Sequence, residues 1–157
     1  MVVGNQVCLV VTVGSELRAD DGLGPYLAQL LEAQPLAGID CIDGGMVPEN
    51  TTLWVRKIRP YRLILIDAAQ MGLQAGEIRR IDESQVARQL YMSTHTMPLN
   101  FLIANYKEIV PQVDFIGVQP LDLEFYGEMS APVKEAAHKL YDWLARGADL
   151  DEFAIID

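Results

Sequence analysis

The sequence predicts an α/β fold, a three-layer α/β/α sandwich around a mostly parallel twisted sheet with an antiparallel edge strand. Three observations lead there. Short runs such as "VCLVVTV" and "RLILIDA" are almost continuously apolar, as strands covered on both faces must be. Stretches of helical period lie between them. One further strand-like run, "EIRRID", is too polar for the middle of a sheet and reads as an edge. Strands that alternate with helices favour parallel pairing, because each crossover returns the chain to the same end of the sheet.

The first strand is placed at 6–13. A helix over 25–33 follows, with Leu27, Leu30 and Leu31 on one face and Pro25 in its first turn. "GIDCID" (38–43) is the second strand. "PENTTLWVRKI" (48–58) is a helix with Glu49 near its positive end and Arg56 and Lys57 near its negative end. The strand 62–68 is followed by the edge strand 77–82 and a short segment 84–90. A helix over 97–109 begins at Pro98, and the last strand spans 113–120. A helix over 130–145 has Ser130 as N-cap and Pro132 just inside. Residues 1–146 thus form one domain, and the acidic tail 147–157 is expected to be loosely held.

A net charge of −10 argues against nucleic acid, since phosphate neutralisation needs a surplus of Lys and Arg, and favours a cationic or basic partner. No apolar run is long enough for a membrane span, and no charged segment followed by an apolar one marks a signal peptide. Cys8 and Cys41 lie in strand-like runs and read as reduced, buried residues. The expected compartment is the cytoplasm.

In open α/β sheets ligands bind beyond the carboxyl ends of the strands. Asp21, Asp43 and Asp67 all fall there, and His95 in "STHTMPLN" precedes a helix that starts at the same edge. Gly14, Gly22 and Gly24 match neither nucleotide-binding glycine pattern, and two acids in "RADDGLGP" would repel a phosphate. No serine stands in a G-x-S-x-G setting. An acid pair, Asp21 and Asp67 sharing a proton, is one remaining chemistry, although it leaves His95 without a task. The other is a divalent metal site: two carboxylate oxygens and an imidazole nitrogen suit zinc or nickel and leave positions open. Spacing also allows plainer roles. Asp20 and Asp21 would serve as helix caps, Asp67 as a turn residue and His95 as a hydrogen-bonded loop residue.

The motifs "VGSELRADDGLGP", "IDGGMVPEN", "RPYRLILIDAAQMGLQAGEIRRID", "STHTMPLNFLI", "GVQP" and "FYGEMSAPV" together resemble the [NiFe]-hydrogenase maturation endopeptidases. They most resemble the branch that processes the large subunit of hydrogenase 3 of formate hydrogenlyase. The resemblance runs in order from about residue 6 to 145. Two departures stand out: Ser15 where the family usually has Asn, and Ala75 in place of a proline. Neither is a proposed ligand.

The resemblance implies a sheet between two helical layers and a protease that removes the C-terminal extension of the large-subunit precursor after nickel insertion. It implies that Asp21, Asp67 and His95 form the catalytic and metal-binding site, with Asp20 a cap or support. Nickel would be supplied by the precursor, and zinc or another divalent ion would fit the same donors. An Asp, with Asp43 in reserve, would serve as general base, or the ion itself would activate the carbonyl or a water. A non-catalytic nickel-sensing chaperone for the same precursor would use the same three residues. Trp54, Trp143 and Tyr141 are expected in or near the core, and Arg56, Lys57, Arg59 and Arg62 on the surface. Phe125 and Tyr126 would either anchor a loop or touch substrate.

Overall fold

Five strands form a single sheet in the order β2-β1-β3-β5-β4. They are β1 (Cys8–Thr12), β2 (Ile39–Asp43), β3 (Arg62–Ala68), β4 (Ile78–Ile81) and β5 (Gln112–Val118). The computed structural model describes residues 6–82, 84–85 and 99–156. β1 pairs in parallel with β2 and β3, and β3 pairs in parallel with β5. β4 runs antiparallel to β5, which makes it the polar edge expected from "EIRRID".

Side-chain alternation along the central strands divides the core. Cys8 and Val10 of β1, Ile64 and Ile66 of β3 and Ile116 and Val118 of β5 face helices α1 (Leu23–Ala33) and α4 (Ala131–Ala145). Leu9, Val11, Leu63, Leu65 and Phe115 face the other layer, α2 (Thr52–Ile58) and α3 (Leu99–Ile109). Burial on both faces is the reason these strands are apolar throughout. Trp143 of α4 is fully buried, and its ring lies 5.0 Å from that of Phe153.

Several expectations change. β2 lies at the margin of the sheet among the described residues, where Cys41 is only half-buried because β1 alone flanks the strand there. The helix expected over 48–58 divides into a 3-10 turn, Pro48–Thr51, and α2. Trp54 is 55% exposed, with the Lys57 ammonium over its ring. Arg62 is buried rather than superficial: its Nε donates to Asp114 at 2.8 Å and its guanidinium also reaches the Ala148 carbonyl. Ser130 occupies the N-cap position of α4, yet its hydroxyl is directed elsewhere.

The tail is also fastened rather than loose. Arg80 N–H donates to Ala154, Ile156 N–H donates to Arg80, and Ile156 enters the core. Trp143 Nε1 donates to the Asp149 carbonyl at 2.8 Å. The physical reason is the free margin of β4, whose backbone groups need partners that an acidic segment with interspersed apolar residues supplies. Among the described residues no helix is long and apolar enough to cross a membrane.

Candidate functional site

The strand order reverses between β1 and β3, because the chain passes from β1 outward to β2 and then back across β1 to β3. α1 and α2 therefore leave on opposite faces, and a crevice opens where they diverge. Asp21 and Asp67 both flank that crevice. Asp67 sits in β3 opposite Gly117 of β5, one residue beyond the Thr12–Ile66 pairing. Val13 N–H continues the ladder to the Ile66 carbonyl at 3.1 Å. Gly14 then turns sharply, with φ +133°, and packs so tightly that a Cβ there would lie 2.0 Å from the Asp21 carbonyl oxygen. A short covalent and hydrogen-bonded path, Asp67–Ile66–Val13–Gly14, thus connects the two acid-bearing loops.

Asp20 and Asp21 lie in a buried 3-10 turn, Ala19–Gly22, and their roles separate cleanly. Asp20 is fully buried and its carboxylate accepts from Leu121 N–H (2.8 Å), Asp122 N–H (3.1 Å) and Ser130 N–H (2.7 Å). The Ser130 hydroxyl adds a fourth donor, within 3.1 Å of both oxygens. Asp20 therefore caps nothing in its own turn; it fastens the loop after β5 and the start of α4. Asp21 is 5% exposed, and its Oδ2 accepts from Ser15 N–H at 2.9 Å. No hydrogen bond engages its Oδ1 among the described residues.

Gly24 is required by contact rather than by dihedral angle, since a Cβ there would lie 2.4 Å from the Val13 carbonyl. That approach brings the start of α1 against the end of β1. Asp67 is 4% exposed. Beyond it, Gln119 holds the following loop: its Oε1 accepts from Met71 N–H at 2.7 Å and its Nε2 donates to Gln70 at 3.0 Å. "GVQP" was the only sequence signal for this buried amide. Asp43 is exposed and accepts from Gly45 N–H at 3.0 Å within its own turn. A cleft of about 290 Å³ lies beside it, between Gly44, Met46, Val47 and Trp54.

His95, the third predicted ligand, lies outside the described residues. Among the described residues no group of three His, Cys, Asp or Glu side chains is placed to hold a metal ion. Asp21 and Asp67 offer oxygen donors from a buried, acid-rich edge, and a divalent cation suits that set once a further donor joins it. His138, the other histidine, is exposed on α4 and pairs with the Tyr26 hydroxyl of α1 at 3.0 Å.

A family model described as HycI, hydrogenase maturation protease, matches residues 25–146. The chain belongs to the hydrogenase maturation protease family. It is 43% identical over 136 residues to the hydrogenase 3 maturation protease of Escherichia coli (strain K12), a match covering 87% of each chain. A crystal structure of a hydrogenase 3 maturation protease superposes with a TM-score of 0.91 at 40% identity, covering 98% of this chain and 99% of that one. The solution structure of the Escherichia coli endopeptidase HycI superposes with a TM-score of 0.89, also at 40% identity, covering 96% and 97%. This maturation protease is therefore an endopeptidase built on the α/β architecture that its apolar runs predict.

Proposed function

We propose that the chain removes the C-terminal extension of a nickel-loaded [NiFe]-hydrogenase large-subunit precursor. One observation carries the reading: in a chain of this family, two buried carboxylates, Asp21 and Asp67, stand at the point where the strand order reverses. Nickel enters as part of the substrate. Asp21, Asp67 and His95 would hold it, and zinc or another divalent ion would compete for the same donors.

The chain's own contribution is orientation and proton handling. Ser15 N–H holds the Asp21 carboxylate by its Oδ2, which orients it without reorganisation. A carboxylate at this edge takes a proton from the attacking water and returns it to the departing amine, which closes the proton balance of peptide hydrolysis. Bound nickel would supply charge stabilisation beside the scissile carbonyl. The two cysteines, both unpaired, suit a reducing cytoplasm.

Nickel-loaded and nickel-free precursor are each incubated with the protein, and precursor mass is followed. Loss of a C-terminal peptide from the loaded form alone supports the reading. Stable binding without mass change would make the chain a nickel-sensing chaperone instead. Asp21→Asn, Asp67→Asn and His95→Ala are each expected to abolish processing. Full cleavage by any of these variants removes that residue from the site.

A further inference from the structure

The loop between β5 and α4 has features that the two acids do not explain. Leu121 is 68% exposed, Phe125 67% and Tyr126 85%, and Leu17 from the neighbouring loop is 57% exposed. These four large apolar side chains belong to two segments stitched together by Tyr126 N–H to Leu17 at 2.7 Å and Asp20 N–H to Asp122 at 2.9 Å. Tyr126 sits at φ +61°, a conformation that costs a non-glycine residue on the order of 1 kcal/mol. Packing does not repay that strain, because the ring is in solvent. Phe125 and Tyr126 stand with ring centroids 6.4 Å apart, and the Arg18 guanidinium lies 5.4 Å from the Phe125 ring.

The pair is held as well as exposed. Glu124 N–H donates to the Asp122 carboxylate and Gly127 N–H to the Glu124 carbonyl, while Asp20 clamps both ends of the loop. A pre-ordered aromatic tip loses little conformational entropy when it is covered. Apart from Arg18 over the Phe125 ring, its surroundings are acidic: Glu124 and Glu128 are exposed on either side, and 121–130 contains no Lys or Arg. The same acid-rich patch on a second copy, in a chain of net charge −10, would meet like charge.

We propose that residues 121–130 form the element that recognises the precursor, with Phe125 and Tyr126 seated against a segment that mixes apolar and basic side chains. Asp20 is then a positioning residue that fixes this tip relative to Asp21. The inference rests on the precursor being the substrate, and its test separates the two statements. Binding (Kd) and cleavage (kcat and KM) of nickel-loaded precursor are measured for wild type and for the double variant Phe125→Ser with Tyr126→Asn. Asn tolerates the left-handed backbone, so the loop keeps its shape.

The double variant should raise Kd and KM at least tenfold with kcat within twofold. Tyr61→Ser, 43% exposed at the opposite end of the sheet, should change neither. Glu124→Gln with Glu128→Gln should weaken binding and flatten its dependence on salt. Unchanged Kd and KM in the aromatic double variant overturn the proposal, as does a wild-type dimer that this variant dissociates. Should wild type bind the precursor without cutting it, the proteolytic reading fails. A tenfold rise in Kd would still support recognition by this loop.

Discussion

Exchanging each of the two adjacent acids for its amide should produce opposite phenotypes. In Asp20→Asn the buried side chain keeps one acceptor oxygen and turns the other into a donor. Three backbone N–H groups, from Leu121, Asp122 and Ser130, point at it. In the better amide orientation the oxygen serves Leu121 and Asp122, and Ser130 N–H faces an NH₂ group. One stranded donor costs about 1–3 kcal/mol, and loss of charge assistance in the other two adds roughly 1 kcal/mol each. The expected loss is therefore about 3–5 kcal/mol, a midpoint lower by about 6 °C or more in a chain of this size. In Asp21→Asn the amide oxygen still accepts from Ser15 N–H, so stability should change by less than about 1 kcal/mol. Urea titration followed by circular dichroism measures the first quantity, and precursor mass measures processing. Asp21→Asn should be stable and inactive. An Asp20→Asn protein as stable as wild type, or an Asp21→Asn protein less stable than it, would refute the division of roles.

Gly14→Ala should cost more than about 3 kcal/mol and abolish processing, since the added methyl meets the Asp21 carbonyl and φ +133° is closed to alanine; urea midpoint and cleavage report it together. Ile156→Ser should lose about 2 kcal/mol by denaturation and expose the margin of β4, seen as faster aggregation on warming. The Cys41 thiol is pushed up to about 12 by burial, with the Asp43 and Asp40 charges adding to it. A raised folded value means that the folded state holds its proton longer, so this contribution is present below pH 9.0 and fades as pH rises toward 12. Cys41 should accordingly resist alkylation at pH 8 until urea unfolds the chain, and early labelling detected by mass would contradict this.

The fold was legible because the informative strands are covered on both faces. "RLILIDA" is unbroken apolar sequence from Leu63 to Ile66, and β3 has the same bounds as the predicted strand. β2 was harder: "GIDCID" is a short run interrupted by two acids, and its place at the sheet margin is set by pairing with β1 alone among the described strands. Arg62 illustrates a deeper limit, since its burial depends on Asp114 and the Ala148 carbonyl, both remote in the chain. The same applies to Asp20. Its acidity beside a helix start mimics a cap, and only the arrival of Leu121, Asp122 and Ser130 reveals a clamp. The positions of Asp21 and Asp67 at strand ends could be read directly, because strand ends follow from apolar runs. The choice between them and Asp20 rests on the family motif; the structure shows Asp20 held by four donors and Asp21 by Ser15 N–H.

The crossovers that build the crevice also govern when it can exist. Cys8 pairs with Arg62, and Arg62 with Gln112, so the central ladder closes only after most of the chain is available. Nearly all of these pairings are remote in sequence, which makes assembly slow relative to helical proteins of similar size. The loop clamped by Asp20 arrives later still, from beyond β5. A partly synthesised or partly folded chain therefore has no place where the two acids meet the Phe125 loop. If the proposed site and loop act together, onset of cleavage during refolding should follow sheet assembly and coincide with docking of the loop held by Asp20.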